Sequence, residues 1–398
     1  MSDDGAVGAG AGAGAGEVVG GRVVALDDFF PQLSTGFRVA EFTWMLRHEL
    51  IDQVLTTQPL EPVLEAFGAA YPDVVDRVVA YRAESLARAD LAWIDFLNNA
   101  AHFLPDLEQH GVPFVVTLYP GGGLDLGSTA ASRKLRAVLS SPLLRAVVTT
   151  QPRVTRFVRD RYPAVAVREI IGLTVSPSYF GPGAGLRRDY YGDGKDRLDL
   201  AFVAHRYRTD GADKGYDTFL DTVRLLRGNG IEVRAHVVGG FSAGDLPDAD
   251  LDGVLEFHGI LDTSSLREVL SGIDLVISPN RPGVLSARSF DGFPTGSVIE
   301  AGLCGAGMVA TDLLEQNVLF RDGRDILIVP PDAQAIAERV AALIRSPGGI
   351  RRMAQAGLAV VRDAYGVTAQ LWGRRQVLDD ALGRQPIGSE SNGAALAS

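Results

Sequence analysis

The sequence predicts an α/β protein built of two doubly wound, Rossmann-like domains facing a cleft. Three observations lead there. At 398 residues the chain is too long for one ordinary core. Short β-branched or apolar runs alternate with longer segments of helical period, the rhythm of parallel sheets covered by helices on both faces. The alternation breaks once, at the glycine-rich stretch Gly181–Lys195, and then restarts.

The first domain is expected over residues 21–180. Arg22–Asp27 reads as its opening strand, followed by the loop Phe29–Gly36 and a helix from Phe37 to His48. Gln53–Thr56 is the next strand, and one long helical stretch is expected over Glu61–Arg88. Strands follow at Leu91–Phe96, Pro113–Leu118, Ala146–Thr150 and Arg168–Thr174, separated by helices at Asn99–His110, Ser128–Leu139 and Arg153–Arg161.

Residues 181–195 read as a linker with little to bury, and as a hinge on which the cleft closes. The second domain, 196–366, opens on strand Leu198–Ala204 and helix Tyr216–Leu226. Strands Glu232–Val238 and Leu255–Phe257, helix Leu266–Ser271 and strand Leu275–Ser278 come next. Helix Val298–Cys304, strands Met308–Ala310 and Ile326–Val329 and helix Ala333–Ile344 complete it. A final helical region covers Ile350–Leu382, and its last part, within 367–385, is expected to pack back on the first domain. Ligands of such sheets bind beyond the carboxyl ends of the strands, which here means the cleft.

Composition narrows the class. With 46% hydrophobic and 22% charged residues the chain is globular, and its net charge of -11 argues against nucleic acid and anionic membranes as broad partners. No apolar run is long enough to cross a bilayer, which leaves only peripheral membrane contact open. The first 20 residues, an Ala-Gly tract after Asp3 and Asp4, read as a disordered tail rather than a signal peptide, and the protein as cytoplasmic. The single cysteine, Cys304, excludes a disulfide framework and a cysteine zinc site. The six histidines form no pair at metal-ligand spacing, and Asp248-Ala249-Asp250 sits in a polar surface loop, so no metal is expected.

The most informative segment is Asp291-Gly-Phe-Pro-Thr-Gly-Ser-Val-Ile-Glu300. Two carboxylates bracket a turn of Gly292, Phe293, Pro294, Thr295, Gly296 and Ser297 that feeds a helix. The free N–H groups of a helix start suit an anion, and carboxylates beside it suit sugar or ribose hydroxyls. Four further segments end strands at the cleft. Gly36 opens a helix after Ser34 and Thr35, either of which is placed to cap it. His205-Arg206-Tyr207-Arg208, with Lys214-Gly215 beyond, supplies cations for a diphosphate, Arg206 being preferred to Arg208. Gly239-Gly240 allows close approach of a ring or phosphate, and Gly121-Gly122-Gly123 follows a strand in the other domain. Neither glycine run is a dinucleotide fingerprint or a P-loop. His102 stands early in the helix after Leu91–Phe96, where it either meets a substrate or packs on Phe103.

Taken in order, these segments resemble the retaining, nucleotide-sugar-dependent glycosyltransferases of the GT-B fold, the large family that includes many bacterial polysaccharide enzymes. The resemblance runs from Leu198 to Val329, through Phe202–Arg206, Lys214-Gly215, Val237–Gly240, Phe257–Gly259, Ser278-Pro279-Asn280, Asp291–Pro294 and Glu300–Gly305. It implies that Glu300 binds the nucleotide ribose and that Asp291 with the backbone of Phe293–Ser297 holds donor sugar and phosphates. It implies that Arg206 and Lys214 neutralise the leaving diphosphate, without a metal or other cofactor. The donor would be a nucleoside diphosphate hexose, the acceptor a hydroxyl, and the anomeric configuration retained.

Two departures stand out. The family's two acids are separated by seven residues, Asp291 and Glu300 by eight, so a bulge is expected within Thr295–Ser297. Where many members carry a histidine after a central strand, Tyr119 stands here. The chain lacks the Gly-x-Gly-x-x-Gly of a nicotinamide enzyme. A sugar-nucleotide epimerase of the same fold and a non-catalytic nucleotide-sugar-binding protein remain as alternatives.

Overall fold

The computed structural model describes residues 22–181, 184–185, 189–245 and 249–384. The Ala-Gly tail, the middle of the linker and Asp248 lie outside the described residues.

The first sheet has seven parallel strands. Its chain order is β1 (Val23–Asp27), α1 (Gly36–Arg47), β2 (Gln53–Thr56), α2 (Leu64–Ala70), β3 (Val78–Ala80), β4 (Leu91–Asp95), α3 (Leu97–His110), β5 (Phe114–Leu118), α4 (Thr129–Leu139), β6 (Leu144–Thr149), α5 (Pro152–Arg161) and β7 (Val167–Glu169). The strands lie in the order β3-β2-β1-β4-β5-β6-β7. Every residue of β1, β4 and β5 is buried, as strands covered on both faces must be. Polar residues stand at or next to the strand ends: Asp27, Thr56, Asp95 and Thr149 are last in their strands, Thr117 is last but one in β5, and all are buried. Polar groups thus collect at the carboxyl edge, around the switch point between β1 and β4.

A short pair, β8 (Tyr190–Tyr191) and β9 (Gly194–Lys195), leads into the second domain. There follow β10 (Leu198–Val203), α6 (Tyr216–Gly228), β11 (Val233–Val238), β12 (Leu255–Gly259), α7 (Thr263–Ser271), β13 (Leu275–Ser278), α8 (Gly296–Leu303), β14 (Gly307–Ala310), β15 (Leu327–Ile328), α9 (Ala333–Arg345), α10 (Gly349–Tyr365) and α11 (Val367–Ala381). The six strands are parallel in the order β12-β11-β10-β13-β14-β15, with a second switch point between β10 and β13.

Four expectations are corrected. The stretch 61–88 is not one helix: α2 stops at Ala70, and the chain re-enters the sheet as edge strand β3, pairing Val54 with Val78. Pro72 removes an N–H and disfavours helix at Tyr71, and the β-branched run Val74, Val75, Val78, Val79 prefers the sheet. The strand expected to run to Thr174 ends at Glu169; Gly172 then turns at φ 99° because the Tyr365 ring leaves no room for a β-carbon. The final helical region is two helices, broken at Gly366. The linker does bury something: Tyr190 is in the second domain's core and its hydroxyl donates to the Gly305 carbonyl at 2.9 Å. Lys195 pairs with Asp199 and Asp274.

Helix α11 crosses to the first domain. Leu371, Val377 and Leu378 join the cluster formed by Val23, Ala25, Phe42 and Trp93. Arg374, fully buried, pairs with the fully buried Glu41 of α1 at 2.9 Å.

Candidate active site

The carboxyl edges of the two sheets meet. Gln151 at the head of α5 accepts a hydrogen bond from the Phe293 amide at 3.2 Å, and Ser286 donates to Asp125 at 2.9 Å. Between these contacts lie most of the residues singled out by sequence.

Asp291 is the hub of the second domain's wall. Lys214 donates from Nζ to both its oxygens, at 2.7 and 2.8 Å, and Asn280 donates from Nδ2 to Oδ2 at 2.6 Å. The Asp291 carbonyl accepts from Gln316 at 3.0 Å, while Thr311 holds the Asn280 carbonyl at 2.6 Å. Lys214 itself is almost wholly buried, carried there by a turn that ends on Gly215. Gly215 has φ 71°, and a β-carbon would stand 2.2 Å from the Pro279 carbonyl oxygen, so only glycine brings the turn this close to β13. Nothing in the sequence announced Asn280, Thr311 and Gln316 as the supports of Asp291; Asn280 stands in the β13–α8 loop that also carries Asp291, and Thr311 and Gln316 in the β14–β15 loop.

From Asp291 the chain passes through the buried Phe293 and Pro294 into α8, which begins at Gly296. Thr295 is its N-cap residue but its side chain does not cap; its hydroxyl lies 3.2 Å from that of Ser297 and 3.3 Å from that of Ser278. The first helical amides are therefore left for another acceptor. Gly296 and Ser297 are already helical, so the extra length between the acids sits ahead of them, not in a bulge over Thr295–Ser297.

Glu300 stands one turn further on. Burial pushes its carboxyl up to about 7, against the lowering influence of the Tyr179 hydroxyl beside it. Across the cleft stands Gly36, the first residue of α1: a β-carbon there would be 3.9 Å from Glu300 Oε1. The expected cap of α1 is absent. Thr35 donates its hydroxyl to the Gln32 carbonyl at 2.7 Å instead, and α1, like α8, presents an uncapped amino end to the cleft.

Arg206, just past β10, donates to the carbonyls of Thr209 at 2.9 Å and Gly240 at 3.0 Å, and lies over the Phe241 ring. Gly239 has φ 133°, and a β-carbon would fall 2.0 Å from the Ala204 carbonyl oxygen; Gly240 has room, with Arg206 Cβ 3.6 Å away. Arg206, Gly239 and Gly240 thus form one surface. Arg208 does not belong to it, being exposed and paired bidentately with Asp210.

The first domain contributes a cluster that sequence reading missed. Arg38 Nη1 donates to Asp27 at 2.8 Å and to Asp28 at 2.7 Å, and its guanidinium lies 4.4 Å from the centre of the Phe96 ring. Asn99 donates to Asp28 at 3.0 Å, and half-exposed Phe29 flanks the group. Burial raises the Asp27 carboxyl above its ordinary range, although Arg38 opposes this. The available signal was Asp27 itself, a charge ending an otherwise apolar strand. Gly122 and Gly123 pack beneath, against Phe96 and Asn98, and do not form a phosphate loop.

Two first-domain candidates are displaced. Tyr119 is buried, its hydroxyl donating to Glu41 at 2.7 Å and accepting from Arg374 at 2.6 Å, so it is consumed in holding α11. His102 is exposed on α3, and its ring meets that of Phe103 edge-on. The buried stripe of α3 is Leu97, Ala100, Phe103, Leu104 and Leu107, and His102 falls off it. Asp250 pairs with Arg224 at 2.7 Å on the surface. The histidines are not all scattered, however: pairing of β11 with β12 brings His236 and His258 to 3.0 Å.

Among known proteins, the model of the family "Glycosyl transferases group 1" matches residues 197–346. None of the curated proteins matches the sequence. Solved structures share the whole fold. Sucrose-phosphate synthase from Thermosynechococcus elongatus is 16% identical over 91% of this chain and 99% of its own, with a TM-score of 0.65. A glycosyltransferase from Rickettsia africae is 13% identical, over 92% and 100% of the two chains, with a TM-score of 0.63. HepE of Anabaena, in a structure with UDP-glucose, is 16% identical over 92% and 100%, with a TM-score of 0.60. At these identities the likeness is one of fold. Residues 197–346 thus resemble the group 1 glycosyltransferases, and the two facing α/β domains are the GT-B fold.

Proposed function

We propose that this glycosyltransferase moves a hexose from a nucleoside diphosphate sugar to a hydroxyl acceptor, with retention at the anomeric carbon. The observation that carries the reading is the convergence of Lys214, Asp291 and Glu300 on the amino end of α8, opposite Gly36 and the amino end of α1. Two uncapped helix starts and a buried lysine suit a diphosphate, and two carboxylates suit the hydroxyls on either side of it.

In this reading Glu300 accepts from the ribose hydroxyls. Lys214, the α8 amides and Arg206 hold the diphosphate and take up the charge that develops as it departs. Asp291, oriented by Lys214 and Asn280, accepts from the sugar hydroxyls. The acceptor then attacks from the face that the diphosphate leaves, and the site's contribution is positioning and electrostatics rather than a protein nucleophile. Cys304 is no candidate for one, its thiol being buried and directed at the Arg267 carbonyl. The Arg38–Asp28–Asn99 cluster with Phe29 is the natural place for an acceptor, offering charges and an exposed ring at the other lip of the cleft.

The test is to offer a panel of nucleoside diphosphate sugars and read binding, hydrolysis and transfer, with product anomer by NMR. Release of a retained glycoside supports the reading. An inverted product rejects retention, isomerised donor without acceptor points to an epimerase, and binding without turnover of any donor points to a non-catalytic receptor.

A further inference from the structure

We infer that His236, Glu256 and His258 form a binding site for a divalent transition metal, zinc by preference of ligand type, on the edge of the second domain's sheet. It is separate from the donor site and does not depend on the proposed function.

The site is built by register. β11 and β12 run parallel with His236 opposite Glu256, and at the register shift that follows, where Val238 pairs with Gly259, the extra residue His258 meets the same ring. His236 Nδ1 lies 3.0 Å from His258 Nε2 and 3.8 Å from Glu256 Oε2, and His258 Nε2 lies 3.7 Å from Glu256 Oε1. Zinc bonded tetrahedrally at ~2.0–2.1 Å sets its donor atoms ~3.3–3.4 Å apart. The two glutamate contacts use different oxygens; with one ligand atom taken from each residue, the three donors lie within 4.8 Å of one another, so side-chain rotations would seat an ion among them. Two imidazoles and one carboxylate are a borderline donor set, suited to zinc, cobalt or nickel rather than to calcium or magnesium.

A neighbour already orients the first ligand. Asp199 Oδ1 lies 3.4 Å from His236 Nε2, and Lys195 pairs with the other Asp199 oxygen at 2.5 Å. A carboxylate at Nε2, with Nδ1 facing His258 and Glu256, is the arrangement that steadies metal-binding histidines. The two rings stack 14° from parallel at 5.3 Å, and both are mostly buried. Glu256 is half-exposed, which leaves an open side for water as fourth ligand. Its competitor is Arg234, at 3.7 Å from Oε2, too far for a hydrogen bond. The alternative is a plain N–H···N bond between the rings, for which Glu256 is not needed. An ion would staple β12 to β11 just before Gly259, whose carbonyl accepts the Gly239 amide at 2.8 Å.

The full chain, without a histidine tag, is stripped with chelator and titrated with Zn2+ by calorimetry and with Co2+ by absorption. Expected are one saturable zinc per chain, intense visible bands of tetrahedral cobalt, and a higher Tm with zinc. His236→Ala and His258→Ala should each weaken binding at least 100-fold, and Glu256→Gln about tenfold. Glu256→Gln, a half-exposed change that keeps the shape, guards against loss through misfolding, and circular dichroism reports on the fold of all three. Glu300→Ala should bind zinc as the parent does. Absence of saturable zinc binding by the parent overturns the inference. So does binding that Glu256→Gln and both histidine variants leave unchanged, since it would place the ion elsewhere.

Discussion

Lys214 donates to both carboxylate oxygens of Asp291, at 2.7 and 2.8 Å, although 77 residues separate them. The two side chains expected to serve different parts of the donor therefore hold each other. Lys214→Ala should weaken nucleoside diphosphate binding ~10–100-fold, the loss of a charge-assisted contact of ~1.5–3 kcal/mol. Asp291→Asn leaves the lysine for the phosphates, so nucleotide affinity should stay within about threefold while transfer falls by about two orders of magnitude. Calorimetry and steady-state rates on both variants separate the roles; equal loss of affinity in the two would show that they act only as one structural unit.

Glu300 makes binding depend on pH. Its carboxyl is raised to about 7 from an ordinary 4.5, so the folded protein holds a proton that the unfolded chain releases. The stability this contributes is complete below about 4.5 and lost as pH rises through about 7. Ribose hydroxyls prefer the carboxylate, so nucleotide affinity should run the other way, rising between pH 6 and 8 with proton release. Glu300→Gln should bind weakly at both values and without that slope, in calorimetry repeated in buffers of different ionisation enthalpy.

The pair of Arg374 and Glu41 fixes the last helix to the first domain with no exposure of either side chain. Arg374→Met leaves Glu41 buried without its cation and should cost ~3–5 kcal/mol. Adding Glu41→Leu should recover part of that loss. Urea denaturation reads the stability, and protease cleavage between α10 and α11 reads the undocking.

Two adjacent glycines should differ. A β-carbon at Gly239 collides with the Ala204 carbonyl, whereas one at Gly240 meets only Arg206 at ordinary contact distance. Gly239→Ala should displace the Arg206 surface and lower donor affinity more than tenfold, and Gly240→Ala should lower it less than threefold.

His102→Ala should leave kcat and KM within twofold, since its ring is exposed and rests edge-on against Phe103. A loss of tenfold or more in kcat would return His102 to the reaction.

The order of elements was legible because two-sided burial writes itself into β1 and β4 as continuous apolar runs ended by one polar residue. The Asp291–Glu300 segment was legible for a similar reason: glycine, proline and acids in that order demand a tight turn into a helix. The 61–88 stretch misled because its helical period is local, while β3 is chosen by an open sheet edge beside β2.

What the sequence determined alone is the two-domain α/β plan, the carboxyl edges where ligands collect, and the residue types available there. Tertiary structure decided which of them meet. It placed Lys214 on Asp291, set Glu300 against Gly36, turned Tyr119 inward to Arg374 and left His102 outside. It also joined His236 to His258, 22 residues apart. Such pairings depend on strand order and domain docking, which arise from burying whole faces at once, so no local run of residues encodes them.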